Sequence, residues 1–210
     1  LWAREFIHIE SPIGARGGGR GKGGGLSLSS DGYVQINANI DLSGGELGGG
    51  ELIISSQTGV FIGWTLDEGI PEDIAEPVTI EIDSRSLGGH GGLLWATSPG
   101  QMTLNAHFDL SDSSTSNPSE GGTIVLESGS ELTLDGSLDA RGSGAGSHGG
   151  LVWMDIYGAA DISAAVDLSA TQDNSRGGSF DLVSYNRVDI DGEITAEGAG
   201  TAGLVRIVSV

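Results

Sequence analysis

LTLDGSLDARGSGAGSHGGLVW, Leu132 to Trp153, alternates apolar and polar residues, dissolves into glycine and serine, and then alternates again. Alternation of period two is the mark of a short strand with one buried face. Whether the glycine segment is a linker or the closing turn of a repeat depends on whether the succession recurs at a fixed interval. It does. The second glycine of each GG pair that precedes an alternating run falls at Gly24, Gly50, Gly92, Gly122, Gly150 and Gly178, and Gly203 follows Ala202 in the same role. The intervals are 26, 42, 30, 28, 28 and 25 residues. Twelve residues after each of the first six anchors stands an aliphatic residue: Ile36, Ile62, Leu104, Leu134, Ile162 and Ile190.

A whole unit can be written around these landmarks. Two and four residues after the glycine the chain is apolar, as in Leu52 and Ile54 or Val152 and Met154, which gives a first strand. A second strand carries pairs such as Val34 and Ile36 or Leu132 and Leu134. A small residue (Ala38, Ala106, Gly136, Ala164, Gly192) and a third apolar residue (Ile40, Leu66, Phe108, Leu138, Val166, Ile194) lead into the glycine and serine segment. Such a unit cannot bury its apolar face alone, whereas stacked units line one continuous core. The expected fold is all-β: a parallel β-helix (β-solenoid) of about seven coils, 25–30 residues each. Residues 23–210 form this domain. The long second interval marks 67–91 as an inserted loop excursion, with GIPEDIAEP at Gly69 to Pro77 and a short strand at Val78 to Ile82.

Composition agrees. There are 38 glycines in 210 residues, more than twice the usual share of about 7 per cent, without the three-residue period of collagen. The formal charge of −20 makes nucleic acid an unsuitable partner, and no apolar run is long enough for a membrane-spanning helix. With no cysteine, disulfides and thiolate chemistry are excluded. The start at Leu1 is what a processed chain or an excised piece would have.

The pattern of GGTIVLESGSELTLDGSLDARGSGAGSHGG, Gly121 to Gly150, resembles the glycine-rich parallel β-helix regions of bacterial secreted and surface proteins, such as filamentous-haemagglutinin-like proteins and autotransporter passengers. The resemblance covers 24–210, is architectural, and carries no catalytic motif. It implies an extracellular or cell-surface location and a structural or adhesive role.

Three features carry the functional expectations. The first is an acidic column at Asp41, Asp67, Asp109, Asp139 and Asp167, five residues after the anchoring aliphatic, with Thr195 in the last unit. Carboxylates stacked at the ~4.8 Å strand spacing repel one another, so the column is either a solvated acidic face or a ladder bridged by Ca²⁺. No cofactor is otherwise required. The second is an outward apolar patch on successive first strands, formed by Leu93, Trp95, Val125, Leu151 and Trp153, which calls for a covering contact or serves as a sugar-stacking platform.

The third is the N-terminal segment 1–22, read as an extension strand outside the repeat followed by a basic glycine-rich linker. It holds four of the nine basic residues and carries +2 against −22 for the rest. Leu1, Trp2, Phe6, Ile7 and Ile9 of this segment, with Leu204, Val205 and Ile207 of the last strand, are then interface residues for strand exchange between copies. The resulting expectation is a non-enzymatic subunit of an extracellular filament or surface assembly, stacking head to tail as a homopolymer. A carbohydrate-binding or polysaccharide-degrading β-helix and a segment of a large adhesin are the competing readings.

Overall fold

The computed structural model describes residues 1–64, 80–83, 85–114 and 118–210. Among these there is no helix, and every strand pairing is parallel. One sheet contains eight strands in the spatial order of the chain: β1 (Trp2–Ala3), β4 (Gly25–Ser30), β7 (Glu51–Ser56), β10 (Leu93–Ser98), β12 (Thr123–Ser128), β14 (Leu151–Ile156), β17 (Ser179–Ser184) and β20 (Leu204–Ser209). The second sheet stacks β2 (Phe6–Ile9), β5 (Tyr33–Ile36), β8 (Gly59–Ile62), β11 (Gln101–Asp109), β13 (Leu132–Asp139), β15 (Ala160–Ile162) and β18 (Val188–Ile190). Its far side is continued by β3 (Ile13–Gly14), β6 (Ile40–Asp41), β9 (Ile80–Asp83), β16 (Ala165–Asp167) and β19 (Ile194–Thr195). This is a β-solenoid of about seven coils.

The register is the one the glycine anchors set. Leu52, Leu94, Ile124, Val152, Phe180 and Val205 stack in one column, and Ile36, Ile62, Leu104, Leu134, Ile162 and Ile190 in another. Most of these side chains are fully buried. Each is worth ~1.5–3 kcal/mol against exposure, but only if the coils above and below supply the walls. The GG pairs let the closing turn press onto the neighbouring coil. The Gly150 N–H donates to the Ala140 carbonyl at 2.8 Å, and a Cβ at Gly150 would lie 2.4 Å from the Gly122 oxygen, so no other residue fits there.

A column that the apolar pattern does not announce closes the first turn. Ser30, Ser56, Ser98, Ser128 and Ser184 are buried at the ends of their strands, although serine is ordinarily a surface residue. Each Oγ accepts from the backbone N–H two residues on, as from Gly32 at 3.1 Å and Gly100 at 3.1 Å. Three also donate to a carbonyl of the preceding coil: Ser56 to Gly32 at 2.7 Å, Ser128 to Gly100 at 2.9 Å and Ser184 to Gly158 at 2.8 Å. The serines thereby satisfy buried backbone groups where the ladder ends.

Two expectations need correction. The segment 1–22 is not an extension outside the repeat. β1 pairs with β4, β2 with β5 and β3 with β6, all parallel, so the segment winds a first coil. Ile7 and Ile9, expected at an interface, are 7% and 6% exposed and belong to the core. The second correction concerns the excursion. Leu66 and Asp67 lie outside the described residues, and their expected places are held by β9: Ile82 stacks between Ile40 and Phe108, and Asp83 between Asp41 and Asp109. The coil that β8 begins is therefore continued by β9.

Candidate functional site

Asp41, Asp83, Asp109, Asp139 and Asp167 form one continuous column, paired position for position along the far side of the second sheet. The sequence follows a D-x-S or D-x-R pattern, and the backbone turns there. In each coil the carboxylate Oδ1 accepts from the N–H two residues on: Ser43 (3.1 Å), Arg85 (3.1 Å), Ser111 (3.1 Å), Arg141 (3.2 Å) and Ser169 (3.0 Å). The column is thus a stack of Asx turns.

The residues two after each position of this column, which Gly14 begins in the first coil, stack too, and they alternate from coil to coil as Arg16, Ser43, Arg85, Ser111, Arg141, Ser169. Arginine on every second coil serves two carboxylates or lies one coil from its partner. Arg16 pairs with Asp41; Arg85 reaches Asp83 at 2.9 Å and Asp109 at 3.9 Å; Arg141 holds Asp139 through Nε at 2.9 Å and reaches Asp167 at 3.7 Å. On the intervening coils Ser43 and Ser111 hydroxyls donate to their aspartates, at 2.7 and 2.6 Å. Arginine and serine on alternate coils thereby offset part of the repulsion that suggested Ca²⁺. Among the described residues no group of three or more His, Cys, Asp or Glu converges as metal ligands.

The environments of these acids are not equal. Burial pushes the Asp41 carboxyl up, but Arg16 and the hydroxyl and N–H of Ser43 outweigh it and hold the group below the usual carboxylate range. Burial dominates at Asp83, where the Arg85 N–H and charge do not compensate and the neighbouring Asp109 and Asp41 add to the rise; its carboxyl sits above the usual range.

The outward face of the eight-stranded sheet is organised in three rows. One contains Leu93, Thr123, Leu151 and Ser179; the next Ile53, Trp95, Val125, Trp153 and Asp181; the third Thr97, Glu127, Asp155 and Val183. The expected apolar patch is thus assembled on adjacent strands. Trp95 is 44% and Leu151 43% exposed, while Leu93, Val125 and Trp153 are half-buried. Sequence reasoning missed the third row. Glu127 and Asp155 lie side by side on neighbouring coils without an ion pair among the described residues, and the Asp155 Oδ1 is buried with no hydrogen-bond partner. They line a cleft of about 320 Å³ with Thr97, Pro99, Gly129 and Tyr157. Tyr157 stacks on Tyr185 at 4.8 Å, 21° from parallel.

The remaining expected interface residues lie on the two coil faces. Leu1, Trp2 and Phe6 are exposed on one, and Phe6 stacks on Tyr33 at 5.5 Å; Leu204, Val205 and Ile207 are exposed on the other, where Val205 and Ile207 continue inward columns and Leu204 continues the outward row of Leu151 and Ser179. The column holding His90, Glu120, His148 and Arg176 is a series of single parallel bridges, with His90 Nδ1 2.9 Å from Glu120, and forms a surface ladder. Comparison of the chain with family models, with curated proteins and with solved structures finds no match.

Proposed function

We propose that the chain is a structural subunit of an extracellular filament or surface assembly, with copies stacked head to tail through their coil faces. The observation that supports this reading is the match between the two faces. β20 has six residues in parallel pairing with β17, and its other edge has no partner among the described residues. At the opposite face β1 covers only Ser29 and Ser30 of the six-residue strand β4. If β20 of one copy takes the place of β1 over β4 of the next, all six positions can pair, at the cost of displacing Leu1, Trp2 and Ala3. Leu1 and Trp2 are exposed as they stand. This is strand exchange in the β-augmentation mode.

The other columns then continue in phase. Ile7, Ile9 and Ile13 fall over Val188, Ile190 and Ile194, and Gly14 over Thr195, so no aspartate meets another across the junction. Arg16 falls over Glu197, which follows Ser169 in the arginine and serine ladder. Charge favours the same encounter: residues 1–22 carry +2, whereas 179–210 hold Asp181, Asp189, Asp191, Glu193 and Glu197 against Arg187 and Arg206. The contact is heterologous and does not close, which yields a filament.

The reading is tested by electron microscopy and sedimentation velocity across a concentration series. Filaments lengthening with concentration are expected; monodisperse monomers at high concentration overturn it. Arg16→Glu should suppress assembly and the Arg16→Glu, Glu197→Arg pair should restore it. Assembly indifferent to both would mean the faces meet in another way.

A further inference from the structure

We propose that the outward face of the eight-stranded sheet is a binding groove for a neutral linear polysaccharide lying along the solenoid axis, with Trp95 and Trp153 as stacking platforms and Glu127 and Asp155 as hydroxyl acceptors. Trp95 and Trp153 occupy one column with Val125 between them, so they stand two coils apart, ~9.6 Å at the usual strand spacing. A β-1,4-linked chain of pyranose rings returns to the same ring orientation at every second sugar, over a comparable distance. Each pyranose offers an apolar C–H face to an indole and a rim of hydroxyl donors. The row beside the tryptophans supplies acceptors: Thr97, Glu127 and Asp155 on three successive coils. Beyond it the exposed Tyr157, stacked on Tyr185, lines the cleft.

The unpaired state of the two carboxylates is the observation that calls for a ligand with donors. Partly buried acids such as Asp139 and Asp181 meet arginine. Among the described residues Glu127 and Asp155 have no cation, and the Asp155 Oδ1 is buried without a donor. A sugar hydroxyl in the cleft would give these half-buried carboxylates a charge-assisted hydrogen bond of the short, strong kind. A second copy of this chain suits the face poorly. A two-fold pairing sets the acidic row either on itself or on the Leu93 and Leu151 row, and both bury carboxylates without a cation opposite. An anionic polymer is repelled by the same row.

The test is native affinity electrophoresis of the intact protein in gels containing hydroxyethyl cellulose, mixed-linkage β-glucan, alginate or chitosan. Retardation by a neutral glucan but not by alginate is expected. Trp95→Ala and Trp153→Ala should each weaken it about tenfold, the effect of losing an aromatic anchor. Trp153→Phe should retain most of the retardation, and Asp155→Asn should weaken it without lowering the urea midpoint. No retardation by either neutral polymer overturns the proposal. So does retardation by chitosan alone that salt abolishes, which would be charge attraction, and so does a change in sedimentation of the tryptophan variants, which would make the face a contact between copies.

Discussion

Two outward columns of this solenoid carry carboxylates at the same coil spacing, and they have opposite fates. Along the far side of the second sheet, Asp41, Asp83, Asp109, Asp139 and Asp167 each receive a backbone N–H, and arginine on alternate coils serves them in turn. On the outer face of the eight-stranded sheet, Glu127 and Asp155 receive no cation among the described residues and lie between tryptophans and tyrosines. The first column is a device of folding, because its charges are consumed in turning the chain. The second is spare chemistry. On a repetitive scaffold, where every position recurs, a column that is not satisfied from within is the informative one.

Removing one acid from each column tests that contrast most directly. Asp139→Ala takes the acceptor from the Arg141 N–H and the partner from its guanidinium, and should cost ~2 kcal/mol, the range for hydrogen bonds to charged groups. Asp155→Ala removes a carboxylate oxygen that has no donor, and should leave stability unchanged or slightly raised. Urea midpoints at pH 7 measure both. Equal losses would erase the distinction between the columns.

A smaller effect is expected where a satisfied column is interrupted. Ser128→Ala removes the acceptor of the Ser130 N–H and the donor to the Gly100 carbonyl, a loss of ~1 kcal/mol. The fully buried Ile156 occupies this register in the coil between Ser128 and Ser184. Ile156→Ser should be less stable than wild type as well, because the hydroxyl does not repay the lost apolar contacts. If it is more stable, the serine ladder contributes more than this account allows.

The serine ladder also shows what the sequence discloses and what it does not. Serine or its substitute stands six residues after every glycine anchor, so the ladder was legible, but serine near a turn is too common to be noticed until its burial is known. The aliphatic columns were read correctly because period two and the GG pairs fix the register together. The first coil escaped because its anchoring glycine would fall before Leu1, leaving β2 and β3 without a landmark. At the long interval, spacing picks Leu66 and Asp67 because they come at the regular distance; spacing alone cannot show which residues take those places in the columns. The signal was local, since Asp83 and Arg85 repeat the motif of Asp139 and Arg141. On the outer face the tryptophans were evident, whereas the meaning of Glu127 and Asp155 rests on what surrounds them.

The smallest effect sharpens the comparison inside the satisfied column. Asp41 has a folded pKa below its unfolded one, so its stabilisation is fully present above about pH 4 and is lost as the pH falls through the depressed value. Asp83 has a raised pKa, so the advantage of its protonated form is present at low pH and is lost as the pH rises through the raised value. At pH 7 the two neighbours therefore act in opposite directions. Asp41→Asn should lower stability by ~1 kcal/mol, because the amide keeps the turn but gives up Arg16. Asp83→Asn keeps an acceptor for the Arg85 N–H and sheds a buried charge, and should raise stability by about 0.5 kcal/mol, the scale of a modest surface electrostatic term. Denaturation of both variants at pH 7 and again near pH 3 measures the difference, which should shrink in acid as the wild-type carboxyls take up protons. Two variants shifting in the same direction at pH 7 would mean that arginine compensates the whole column evenly, and that Asp83 costs nothing for being buried.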